Sequence, residues 1–133
     1  SSVHPFVHAN ILAAIAALAQ GLQGSFAPHY APVMQYLRSV LGRQPQSTPE
    51  RLWRSRGMLC VAHVASAVGM DTFRPDAEAV VEAVLASRIS DGDPQMSTLH
   101  EIMPLFANVM GDAFLPYLSR IVPVLIQQLA LDR

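Results

Sequence analysis

His100-Glu101-Ile102-Met103-Pro104 opens like the helix of a zinc hydrolase, where histidines four apart bind the metal and the glutamate between them acts as general base. Proline stands where the second histidine is needed, so that chemistry is not expected. His4, His8, His29 and His63 are scattered singly, and His63, in a stretch of small residues, reads as a packed histidine. The sequence has no Gly-x-Ser-x-Gly nucleophile turn, no phosphate-cradling glycine loop and no paired-cysteine zinc spacing. The expectation is a protein that is not an enzyme and uses no cofactor or metal. Cys60 is the one cysteine; in an apolar helical setting it reads as an inert core thiol, and a lone thiol fits a reducing compartment.

The charged residues suggest binding instead. Arg51 and Arg54 share a helical face by their i, i+3 spacing, with Trp53 between them and Arg56 just beyond. Arginines in a first helical turn oppose the macrodipole and favour a neighbouring carboxylate, so Arg51 and Arg54 either pair within the repeat or stay solvated, or else are candidate contacts for an acidic partner. Glu78 and Glu82, four apart, also share a face. Residues 1–60 carry five arginines against Glu50, residues 61–133 carry four arginines against nine acids, there is no lysine, and the net charge is −1. Direct nucleic-acid binding needs a larger one-sided positive field and is not expected.

These side chains must be positioned by helices. Phe26-Ala27-Pro28-His29-Tyr30, Phe73-Arg74-Pro75-Asp76-Ala77 and Phe114-Leu115-Pro116-Tyr117-Leu118 form a signature used three times, each copy after a glycine (Gly24, Gly69, Gly111). Glycine takes the left-handed conformation that ends a helix, and proline suits a first helical position. Each copy therefore predicts a tight turn between antiparallel helices, with the phenylalanine plugging the pair. The spacing of about 40 to 47 residues is that of HEAT or armadillo arrays. With 51% hydrophobic and 14% charged residues, the chain has enough apolar material for one core and too little charge for disorder.

The predicted fold is all-α: an α-solenoid of three HEAT repeats, six antiparallel helices stacked in a right-handed superhelical sense, with repeats over 6–42, 50–89 and 94–130. The first helix spans Phe6 to Gln23 with an apolar stripe of Val7, Ile11, Leu12, Ile15, Leu18 and Leu22. Its partner starts at Pro28, and Gly42–Pro49 is a loop. The second pair begins near Glu50 behind Ser47 or Thr48 as cap, reaches Val68, and continues from Phe73 to Ile89 before a break at Ser90–Pro94. The third covers Pro94–Met110, kinked at Pro104, and Phe114–Ala130. The apolar run Ile11–Ala19 is too short to span a bilayer, and no secretory leader is recognisable.

Aligning the second helices on their prolines gives a buried stripe of Val33, Val80 and Ile121, then Met34, Val81 and Val122, then Leu37, Val84 and Leu125. A second stripe is small or polar: Ala31, Gln35 and Ser39; Glu78, Glu82 and Ala86; Ser119, Pro123 and Gln127. Successive repeats would line it up into one continuous exposed surface.

The turn and helix from Phe26 to Leu37 resemble the Phe-x-Pro-x-Tyr element of importin-β-type nuclear transport receptors. Leu52 to Gly69, Asp93-Pro94-Gln95 and Gly111 to Leu118 are similar, in the same order, to central repeats of the karyopherins that import ribosomal proteins and histones. The resemblance runs from about Ile11 to Leu129 and implies a central segment of a longer, shuttling receptor of cytoplasm and nucleus. It implies basic protein cargo on the second helices, with Gln35, Glu78, Glu82 and Gln127 as candidate cargo contacts, and Phe-Gly nuclear pore proteins on the first helices. It also implies the small GTPase Ran, mainly through repeats outside these residues, and no membrane. The alternative is a HEAT scaffold of another assembly, such as a phosphatase regulatory subunit or a translation or chromatin factor.

Overall fold

The computed structural model describes residues 5–86 and 93–131, without the side chains of residues 5, 6, 94, 124 and 128–131. The described residues are helical with no strand. The α-helices are α1 (Pro5–Leu22), α2 (Tyr30–Leu41), α3 (Thr48–Val68), α4 (Met70–Leu85), α5 (Pro94–Met110) and α6 (Leu118–Leu131). The expected end of the fourth helix at Ile89 and the break over residues 90–92 lie outside the described residues.

The turns differ from the expected glycine stops. A 3-10 helix, Gln23–His29, joins α1 to α2 without interruption, and another, Gly111–Tyr117, joins α5 to α6. Among the described residues these elements thus join into four continuous helical runs, two of them bent. Gly69 (φ +82) and Gly111 (φ +55) take a positive φ as expected of them, though not the left-handed helical ψ, and at the first turn Gln23 (φ +50) takes the positive φ in place of Gly24. The Gln23 side chain donates to the Gln20 carbonyl at 2.6 Å, a local bond that offsets part of the cost of a positive φ in a non-glycine residue. The prolines are also displaced from the first helical position. Pro28 and Pro116 lie inside the 3-10 helices, and Pro75 lies inside α4, which begins directly after Gly69. The phenylalanines do plug the turns: Phe26, Phe73 and Phe114 are all buried.

Two helices begin on a side-chain cap, the first of them at Ser47, one of the two residues expected there from the sequence. Ser47 accepts from the Glu50 amide, while Glu50 accepts in return from the Gln46 amide, a capping exchange that satisfies free donors at the start of α3. Asp93 accepts from the Gln95 amide at the start of α5. Pro104 lies inside α5, which runs through it to Met110.

The core is organised around α3, which lies between α1 and α5 and also packs on α2 and α4. Small residues let these helices approach closely. Ala9, Ala16 and Ala19 of α1 are buried, as are Gly57, Ala62 and Ala65 of α3. A Cβ on Gly57 would come within 2.9 Å of Val40 and 3.9 Å of Leu12, so this glycine marks where α1 and α2 press on α3.

That packing corrects the predicted α1 stripe. Of its members only Leu12 is buried and Ile15 is half-buried, whereas Val7, Ile11, Leu18 and Leu22 are 44–55% exposed. The alanine face took the inward position because it permits the closer approach. On the second helices the predicted buried positions hold for Met34, Leu37, Val80, Val81, Val84 and Ile121 but not for Val122, which is 43% exposed. By length and composition Val7–Leu41 and Gln95–Gln127 are apolar enough to cross a membrane, a longer apolar reach than the Ile11–Ala19 run suggests. Each of them bends at its 3-10 helix and packs on α3.

Candidate interaction surface

Two rows of helices emerge. In the row α1–α3–α5, the cross-links midway along the helices are uncharged: Gln20 donates to the His63 ring at 3.1 Å and Ser55 bonds Thr98, and charge enters only at the start of α5, where Arg51 and Arg54 of α3 reach it. In the row α2–α4–α6, cross-links are ionic. Asp76 of α4 accepts from the Tyr30 hydroxyl at 2.6 Å and from the Arg38 guanidinium at 3.2 Å. Glu82 of α4 accepts from one Arg120 nitrogen through both carboxylate oxygens at 2.8 Å. Burial, helped by the hydrogen bond to Asp76 and the negative charge of that carboxylate, pushes the Tyr30 phenol well above its ordinary pKa and keeps it a donor.

Between α2 and α4 lies an open groove of about 550 Å³ lined by Tyr30, Ala31, Met34, Gln35, Arg38, Ser39 and Asp76. Its floor is the buried Met34 and its walls are polar. Gln35 is therefore a groove residue. Glu78 and Glu82 are exposed farther along α4, and Gln127 is exposed on α6. Ala31, Ser39, Ala86, Ser119 and Pro123 are exposed as well, so every member of the small or polar stripe faces solvent.

The two glutamates are not equivalent. Glu82 is neutralised by Arg120, while Glu78 has no ion pair among the described residues. Both carboxylates lie near Tyr117, whose phenol is raised chiefly by burial and then by Glu78 and Glu82. The sequence carried no signal for Tyr30, Asp76 or Arg120, because each reaches its partner across helices 38 or more positions apart.

Arg51 and Arg54 turn to partners within the molecule rather than to an outside acidic partner. Arg54 is 4% exposed. Its guanidinium donates to the Leu41 carbonyl at 3.0 and 3.2 Å, to the Ala83 carbonyl at 2.8 Å and to Gln95 Oε1 at 2.9 Å. It thereby ties the ends of α2 and α4 to the start of α5. Burial lowers its pKa, with Asp93 opposing the shift. A side chain so enclosed is not available to an outside partner. Arg51, half-buried, donates to Thr48 Oγ1 at 3.0 Å and lies 4.0 Å from Asp93, so the carboxylate that the macrodipole argument requires is within the molecule. Trp53 is sandwiched, with His8 4.4 Å and Arg43 4.7 Å from its ring centre. His100 and Glu101 are exposed on α5.

Two curated importins are similar to this chain. A probable importin-5 homolog of Dictyostelium discoideum is 29% identical over 109 residues, covering 81% of this chain and 10% of that protein. Importin subunit beta-3 of Saccharomyces cerevisiae is 24% identical over 124 residues, 91% of this chain and 11% of that protein. The chain is similar to importin segments. It spans about a tenth of the length of the curated relatives it matches. No family model matches it, and no solved structure matches it.

Proposed function

We propose that these residues form part of a nuclear import receptor of the importin-β kind, an α-solenoid of three HEAT repeats whose α2–α4–α6 row receives protein cargo. The observation that carries this reading is the similarity to two importins over 81% and 91% of the chain. The layered all-helical packing, with an exposed polar row beside a closely packed core row, supports it. The part has no catalytic role.

Within this reading the groove beside Gln35 and the carboxylate of Glu78 take a basic cargo segment, with Glu82 contributing once Arg120 lets go and Gln127 extending the track. Attraction of this type weakens with salt. Phe-Gly pore proteins dock on the α1–α3–α5 side, and Ran acts mainly through other parts of the longer receptor, which shuttles between cytoplasm and nucleus.

The test uses permeabilised cells and the fluorescently labelled chain. Accumulation at the nuclear rim, competed by Phe-Gly peptides, is the expected result. A uniform distribution, together with no measurable binding of a Lys/Arg-rich import-signal peptide at low salt, would overturn the proposal.

A further inference from the structure

Asp76 divides its carboxylate between two unlike partners. One oxygen accepts from the hydroxyl of the buried Tyr30 at 2.6 Å, and the other accepts from a single nitrogen of Arg38 at 3.2 Å. The first bond is short and holds the carboxylate in place. The second is longer than the about 2.7–2.9 Å of a firm bond between guanidinium and carboxylate, and the Arg38 side chain is 51% exposed against 19% for Asp76. The anchor is fixed while its cation is loose. An arginine so placed contributes little and can leave for water.

Asp76 and Arg38 both line the groove between α2 and α4. Its two walls come from described helices of consecutive repeats, so its shape is set within the molecule. At about 550 Å³ it is the size of a ligand cleft. Met34, buried on the floor, offers apolar surface to the methylene stem of a basic side chain whose head reaches the carboxylate. The arrangement recurs in the next gap, where one nitrogen of the half-exposed Arg120 donates to both oxygens of Glu82. In both gaps α4 supplies the carboxylate and a neighbouring helix supplies a loose arginine. Glu78, between them in sequence, has no ion pair among the described residues.

We propose that Asp76 anchors a guanidinium group of a partner protein in this groove, and that Arg38 is its intramolecular occupant, displaced when the partner binds. The inference deepens the cargo reading and rests on it. It narrows the partner from a basic segment to an arginine-bearing one. Reaching a partly buried carboxylate strips water from the incoming cation, and guanidinium is more weakly hydrated than ammonium. Tyr30 positions the anchor, and Arg38 acts as a brake on binding.

Fluorescence anisotropy of labelled octa-arginine and octa-lysine tests this on the whole 133-residue chain, in about 0.1 M salt, where exposed charges more than about 10 Å apart are largely screened. Arg38→Gln removes the occupant and should bind octa-arginine about 5-fold more tightly, or about 1 kcal/mol. Arg56→Gln makes the same change of charge at an exposed position of α3 and should alter affinity less than about 2-fold. Adding Asp76→Asn, which keeps an acceptor for Tyr30, should abolish the gain of Arg38→Gln, because the two residues act on one another. Octa-lysine should gain less than octa-arginine. Circular dichroism checks that each variant keeps its helicity.

Equal gains in Arg38→Gln and Arg56→Gln, a gain that survives Asp76→Asn, or equal gains for the two peptides would overturn the inference while leaving the import reading standing. Absence from the nuclear rim with the exchange intact would count against the import reading alone. No binding of octa-arginine by Arg38→Gln would overturn the inference and the cargo reading together.

Discussion

The row α1–α3–α5 and the row α2–α4–α6 alternate along one chain, yet different forces hold them. The first is closely packed, with alanines and Gly57 at the contact, uncharged hydrogen bonds such as Gln20–His63 midway between helices, and arginines only where α3 meets the start of α5. The second meets through charges at its surface, Arg38–Asp76 and Arg120–Glu82. Close packing in a core is unforgiving of volume change, whereas exposed ion pairs contribute little and can be exchanged. The first row therefore sets the spacing of the helices, and the second is free to present side chains to a partner.

Arg54 is the exception that joins the rows, and its loss should have the largest effect. Arg54→Ala leaves the Leu41 and Ala83 carbonyls and Gln95 Oε1 without their donor, and each buried acceptor left unpaired costs about 1–3 kcal/mol. Chemical denaturation should report a loss near the sum of these costs, and a loss below about 1 kcal/mol would show that water replaces the guanidinium. Next come Phe73→Ala and Phe114→Ala, expected to cost about 3–5 kcal/mol each against almost nothing for Glu78→Ala. Equal melting points for all three would refute a structural role for the turn aromatics.

Asp76→Ala removes the acceptor of the Tyr30 hydroxyl and the partner of Arg38. About 1–2 kcal/mol is expected, since Tyr30 is buried but Arg38 is half exposed. Glu82→Gln should cost no more than about 1 kcal/mol and lose even that at high salt. If it proved as costly as Asp76→Ala, the distinction between a bonded groove wall and a loose surface pair would fail. The smallest expected effect is with pH. Burial holds the His63 imidazole below its ordinary pKa, against Glu101. The unfolded chain then takes up the proton more readily, so stability should fall slightly as pH drops through about 6.5, and His63→Gln should remove that slope.

The all-helical character, a cap at Ser47 or Thr48 and the plugging phenylalanines were legible in the sequence because each depends on neighbours in the chain, whereas the starts of α2, α4 and α6 fall at Tyr30, Met70 and Leu118 rather than at Pro28, Phe73 and Phe114. The burial of the α1 alanines in preference to Ile11 and Leu18 was not. Hydrophobic periodicity locates an apolar face but cannot rank two apolar faces of one helix when close approach decides between them. Arg54 was misread for a related reason. Its i, i+3 partner Arg51 suggested a surface pair, but the acceptors that make its burial tolerable, Leu41, Ala83 and Gln95, come from three other helices. The exposure of Gln35, Glu78, Glu82 and Gln127 followed from the proline alignment, while the pairing of Glu82 with Arg120 did not. Cys60, read as an inert core thiol, is buried, and its pKa is pushed up to about 12 by desolvation. It should resist thiol reagents at pH 8 until the chain unfolds.

The division of labour between the rows is tested most directly by hydrogen–deuterium exchange with and without a Lys/Arg-rich import-signal peptide at low salt. The account predicts added protection confined to α2 around Gln35–Ser39 and to α4 around Glu78–Glu82, lost at high salt and in Glu78→Lys/Glu82→Lys. Protection centred on α1 or α5, or protection at α2 and α4 that survives both changes, would contradict it.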